Sequence, residues 1–120
     1  MIGLFWIYFI GTAIVMRTIT PPFHFKNKTI TQQLRKRTGK NIHHLHIGFI
    51  FAIIAGFLII IKGLNRPLLF FAAMALSFIA DEIFIMSDFS DYFKKEGLLM
   101  SILGHVTIGF IATALLLLID

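Results

Sequence analysis

The sequence predicts an all-α fold, an integral membrane four-helix bundle forming a single transmembrane domain over residues 1–120. Three observations carry that prediction. Apolar residues make up 58% of the 120 and charged residues only 14%, with a mean hydropathy of +0.87, whereas a soluble domain carries about a quarter charged residues. The apolar residues gather into four runs near the ~20 residues a helix needs to cross the hydrocarbon core. The basic residues gather in the connections that alternate membrane topology places on one side. This composition excludes a soluble enzyme domain, and the length leaves no room for a second domain. With no cysteine, disulfides, thiolate metal sites and cysteine nucleophiles are excluded as well.

The first helix is expected over 2–19. Ile2–Met16 is uncharged but short, so Arg17–Ile19 should lie in the interface with Arg17 snorkelling toward water. No basic residue precedes the run and no small-x-small cleavage site follows it, so it reads as a retained helix rather than a secretory signal. Pro21-Pro22 should end it. A basic loop over 20–41 follows, in which Thr29–Arg37 reads as a short helix on the membrane surface. The second helix is expected over 43–62, built on the run Leu45–Ile61. The turn Lys62–Pro67 contains Gly63 and Asn65. The third helix, over 67–87, carries Asp81 and Glu82 within its apolar run. Ser87–Gly97 is mixed in charge, with Tyr92-Phe93 suited to the interface. The fourth helix is expected over 98–119.

Short loops rich in Lys and Arg remain cytoplasmic. The first and third connections hold nine of the eleven Lys/Arg residues, and the second holds Lys62 and Arg66. Both termini are therefore expected on the non-cytoplasmic side of a multi-pass cell-membrane protein. Arg35, Lys36, Arg37 and Lys40, in a stretch without any acid, are expected to contact anionic lipid or a partner. Nucleic acid is not an expected partner, because only Phe23 and Phe25 accompany these charges as stacking aromatics.

Ionisable side chains inside a membrane segment cost several kcal/mol, roughly 2.5–3.5 on insertion scales, and normally face a protein interior. Asp81, Glu82 and His105 need such an account, and His43-His44-Leu45-His46 stands at the mouth of the second helix. At 1.5 Å per residue, the acidic pair lies about 7 Å and His105 about 10 Å below the cytoplasmic ends of their expected helices. Helices in lipid approach along small residues spaced by four. Gly48, Ala52 and Gly56 form such a stripe leading back to His44, Ala73 and Ser77 lead on to Asp81, and Ser101, Gly109 and Thr113 flank His105. His44, Asp81 and His105 are therefore expected to converge, with Glu82 and His43 at the rim. His46 shares the face of His43 by its i, i+3 spacing.

Three readings of this cluster stay open. It is a hydrogen-bonded tie between helices; or a metal site, in which His43, His44, Glu82, Asp81 and His105 are donors suited to zinc, iron, copper or manganese; or a proton relay. The H-E-x-x-H spacing of zinc proteases is not present. Nor is a Gly-rich phosphate loop or serine-centred elbow. His24 reads as solvated, and the 14 phenylalanines as mainly lipid-facing bulk.

At His43-His44-Leu45-His46-Ile47-Gly48, then Ala80-Asp81-Glu82 and Tyr92-Phe93, the chain resembles a group of small, uncharacterised prokaryotic polytopic membrane proteins. These carry a paired histidine and a glycine at one helix start, an Asp-Glu pair late in the next, and an aromatic pair before the last span. The resemblance covers roughly residues 41–101. It implies that His43, His44, Gly48, Asp81 and Glu82 belong to one site, and it brings no activity with it. His46 and Phe93, the latter where a Trp is expected, depart from the pattern.

The functional expectation is a small accessory or structural subunit of a larger membrane complex, partnered by the lipid bilayer and by other membrane subunits or copies of itself, and not an enzyme on its own. The alternative is a self-sufficient metal-dependent membrane enzyme or proton or cation carrier using His44, Asp81, Glu82 and His105.

Overall fold

The computed structural model of the chain describes residues 1–25, 29–39, 42–85 and 94–119, the side chains of 20–25 excepted. Its helices are α1 (Ile2–Phe25), α2 (Ile30–Thr38), α3 (His44–Lys62), α4 (Arg66–Glu82) and α5 (Lys95–Ile119), and no strand occurs among the described residues. Among the described residues, three segments are long and apolar enough to cross a membrane: Ile2–Ile19, His44–Lys62 and Lys95–Ile119.

Local chemistry sets several of the helix ends. Asn65 accepts from the Leu68 N–H at 3.0 Å to cap α4, with Pro67 in the first turn, where its missing donor costs little. Thr29 and Gln32 form a capping box at the start of α2, and Gly39 ends that helix at φ 69°, in the left-handed region that disfavours other residues. The helix over Thr29–Arg37 expected from the sequence is thus present with bounds one residue later.

Two expected boundaries are corrected. The helix of α1 runs through Pro21-Pro22 to Phe25. The two prolines remove only the donors facing the carbonyls of Arg17 and Thr18, a loss confined to the last turns of the helix. Conversely, α4 ends at Glu82 rather than continuing to 87: the Ile85 N–H turns back onto the Glu82 carbonyl at 2.9 Å and tightens the chain into a turn. Asp81 and Glu82 accordingly occupy the last turn of α4 and not a position deep within it.

Helix α4, only 17 residues long, packs against α3, α1 and α5. Leu69, Ala73, Ala75, Ser77, Ile79, Ala80, Asp81 and Glu82 are all buried along it. At one end Trp6 of α1 donates to Thr113 of α5 (3.0 Å), and Tyr8 meets Phe70 edge-on at 5.2 Å. At the other end Arg17 meets Asp81, and His44 meets Glu82. Successive long helices therefore run in alternating directions. Phe5 and Phe9 stack at 5.2 Å and, with Leu69, Ala73, Ala80, Ala112 and Leu116, form the apolar core. The outward faces carry exposed Ile7, Ile53, Phe57, Ile60, Phe110 and Leu118.

Small residues set the helix spacing. A Cβ on Gly48 would stand 2.8 Å from the Ala75 carbonyl oxygen, so α3 and α4 meet there backbone to backbone. Gly104 serves the same purpose between α5 and α4, against the carbonyl of Ala80, and Gly109 receives the Trp6 indole. Ala73 and Ser77 are buried in α4, and Ala52 is half-buried. Gly56 departs from the expected stripe, since among the described residues nothing lies within 4 Å of a Cβ built there. Eight residues advance a helix by about 80° beyond two full turns, whereas seven return to within about 20° of the starting direction. Ala55, seven residues after Gly48, is accordingly the buried one.

Candidate functional site

Two neighbouring residues at the end of α4 organise two separate groups of polar contacts. Asp81 Oδ1 accepts from Arg17 Nε of α1 at 2.9 Å and from the Ser101 hydroxyl of α5, so one carboxylate joins three helices. The Asp81 side chain is 2% exposed and that of Arg17 18%. Arg17 also donates through Nη2 to the Gly97 carbonyl at 3.3 Å. This corrects the expectation that Arg17 snorkels outward. An aspartate withdrawn from solvent attracts the guanidinium more strongly than the interface does, because an uncompensated buried charge is the more expensive state.

His105 extends this group toward the middle of the molecule. Its Nδ1 lies 2.8 Å from the Ser101 carbonyl, which can only accept, so Nδ1 carries the proton. Its Nε2 stands 3.0 Å from the Ser77 hydroxyl of α4, from which a neutral ring accepts. The ring lies against Phe9, with centroids 5.0 Å apart. Asp81, Arg17, Ser101, His105 and Ser77 thus form one hydrogen-bonded chain.

Glu82 points the other way. Its Oε2 accepts from the Leu45 N–H at 2.9 Å and its Oε1 from His44 Nδ1 at 3.1 Å. Leu45 is the second residue of α3, a helix with no acid in its own first turn. The carboxylate supplied by α4 therefore satisfies a first-turn donor of α3 beside the His43–His46 capping pair and lies at the positive end of the helix dipole. His43 is buried just before α3, and its backbone N–H donates to His46 Nδ1 at 3.1 Å. Burial holds the His43 imidazole below its ordinary value of 6.5; the nearby Glu82 charge opposes that lowering, and Arg35, His46 and His44 add to it.

The residues expected to share one point are therefore divided. His44 joins Glu82, while His105 joins the Asp81 group through Ser101 and Ser77. Among the described residues, no three His, Asp or Glu side chains stand together as a shared ligand set. Arg35, Lys36 and Arg37 lie in the last turn of α2, and Lys40 falls outside the described residues. Sequence reasoning missed Arg17 and Gly104 as partners of α4. Signals for both were present: Arg17 follows Trp6 by eleven residues and Ile10 by seven, hence on the same face of α1, and Gly97, Ser101 and Gly104 are small residues at i, i+4 and i+7.

Fold and site together define an all-helical protein, compatible with membrane residence, whose two buried carboxylates, Asp81 and Glu82, are engaged in contacts between helices. No protein-family model, curated protein or solved structure matches the chain.

Proposed function

We propose that the chain is a multi-pass membrane protein in which α4 crosses together with α1, α3 and α5, and that it serves as a small structural or accessory subunit of a larger membrane complex. The observation that carries this reading is how the buried polar groups are used. Asp81 joins α1, α4 and α5, Glu82 joins α4 to α3, and His105 joins α5 to α4. These contacts stabilise the arrangement of the helices. Their donors and acceptors answer one another, as expected of polar residues that tie membrane helices together. The exterior supports the same reading, since exposed Ile, Leu and Phe, most of them on α1, α3 and α5, offer surface to lipid tails and neighbouring helices alike.

In this reading the basic end, with α2 and Arg17, faces the cytoplasm and both termini face away from it. A tagged chain isolated from membranes in mild detergent after brief chemical cross-linking is expected to bring down other membrane subunits. A monomer carrying a stoichiometric transition metal, released by Glu82→Gln or Asp81→Asn, would overturn the subunit reading in favour of the metal-dependent one.

A further inference from the structure

Helix α2 lies along the sides of α1 and α3. Its Thr31 is buried, and its Leu34 lines one groove with Met16 and Ile19 of α1 and with Ile47 and Ile50 of α3. Ile47 and Ile50 follow the start of α3 at His44 by three and six residues, hence by about 5 and 9 Å along the helix. α2 is thereby held beside the first two turns of α3 rather than beyond its end. A helix lying in a membrane interface sits about 5–10 Å into the boundary between headgroups and acyl chains, so in a bilayer crossed by α3 this placement puts α2 at that depth.

The side of α2 turned away from the bundle is basic. Lys36 and Arg37 are exposed, and among the described residues neither is paired with an acid. Residues 17–41 hold seven of the eleven Lys/Arg residues and no Asp or Glu, so nothing nearby in the sequence neutralises them. Ile30 stands seven residues before Arg37, on the same flank of the helix, and is 72% exposed. An uncovered isoleucine beside unpaired bases, on a helix closed at both ends by its own caps, suits a boundary where apolar surface and negative charge are met together. Water would leave Ile30 uncovered, and an acidic peptide would answer the bases alone.

We propose that this face of α2 docks on the anionic lipids of the leaflet in which α1 ends and α3 begins, with Ile30 among the upper acyl carbons and Lys36 and Arg37 on lipid phosphates. A base near an anionic membrane surface is favoured there roughly fivefold, and this attraction needs no enclosed headgroup pocket. Arg35, whose Nε is buried, is not part of the face. The docking face rests on the membrane reading proposed above.

Because the chain has no cysteine, full-length Gln33→Cys can carry a single bimane on the exposed side of α2, one turn from Lys36. The labelled chain is reconstituted in phosphatidylcholine vesicles with traces of phosphatidylglycerol or phosphatidylcholine bearing the same acyl-chain acceptor, and energy transfer reports which lipid gathers beside α2. Phosphatidylglycerol is expected to be enriched at least about fivefold at low salt, falling to parity in about 1 M salt, where the screening length is about 3 Å. The double variant Lys36→Gln, Arg37→Gln should abolish the enrichment, and Lys36→Glu, Arg37→Glu should reverse it; helical circular dichroism equal to that of the parent checks that both fold. Bimane at Ile30→Cys should emit to the blue of bimane at Gln33→Cys. Enrichment that survives high salt, indifference to the double variants, or emission at position 30 as red as at position 33 would each overturn the proposal. So would equal transfer to the two lipids, which would leave the bases to an acidic protein partner. A chain that does not enter the vesicles would refute the membrane reading as well, whereas an inserted chain with equal transfer would refute the docking face alone.

Discussion

Asp81→Asn isolates the charge of the central carboxylate from its geometry. The asparagine retains an Oδ1 acceptor for Arg17 Nε and for the Ser101 hydroxyl, but both bonds lose their ionic character. Hydrogen bonds to a charged group contribute about 1.5–3 kcal/mol against about 1 for neutral ones, so two such bonds lose roughly 2 kcal/mol together. The stranded guanidinium adds to this, yet falls short of the full ~3–5 kcal/mol for a broken buried pair, because the Arg17 side chain is 18% exposed and keeps its Gly97 contact. The expected destabilisation is about 2–3 kcal/mol. Unfolding in mixed detergent micelles with increasing SDS can be followed by the emission of Trp6, the only tryptophan. Its indole bridges α1 to α5 through Thr113. The comparison requires Arg17→Gln and the double variant, since the ion pair should appear as a coupling energy of about 2 kcal/mol between the two sites. Additive single effects, within about 0.5 kcal/mol, would refute the pairing.

Four further outcomes follow from the same contacts. Gly104→Ala should force α5 away from the Ala80 carbonyl and lower the unfolding midpoint, while Gly56→Ala, with open space around it, should leave the midpoint unchanged or slightly raised through helix propensity; SDS titration of the two variants compares them. Glu82→Gln keeps the acceptor for the Leu45 N–H but removes the charge at the start of α3, and should cost about 1 kcal/mol, with Glu82→Ala costing more in the same titration. Because burial lowers the His43 pKa, the unfolded chain binds the proton more readily, and His43 should withdraw stability as pH falls below 6.5 toward its folded value; midpoints measured from pH 7.5 to 5 should decline less in His43→Gln. Treatment with a strong chelator should leave the thermal midpoint unchanged, since the helix contacts described are between protein groups; a drop reversed by added zinc or manganese would contradict this.

The helices were legible in the sequence because apolar run length is a local property. Ile2–Met16, Leu45–Ile61 and Leu98–Ile119 each lie within one of the long helices found. Partner choice is not local. Arg17 stands where a flexible side chain has two outlets, the interface and the interior, and only the presence of Asp81 across the gap decides between them. Glu82 as a cap for α3 was hidden for a similar reason, although the lack of any acid in the first turn of α3 left a vacancy that another helix had to supply. Gly56 shows how an error in rotation accumulates: a four-residue step drifts about 40° each time, so a stripe drawn by fours is sound for Gly48 and has left the interface two steps later. Pro21-Pro22 shows the converse, in that a strong local breaker is tolerated where the bonds it removes belong to the last turns.

In the proposed topology α4, only 17 residues long, crosses the membrane in the company of three longer helices. Because the chain has no cysteine, single cysteines at Asn65, in the connection before α4, and at exposed Glu96, in the first turn of α5, place its two ends independently. With a membrane-impermeant maleimide on intact cells, Asn65→Cys should be labelled and Glu96→Cys protected until the membrane is permeabilised; labelling of both from the same side would show that α4 does not cross.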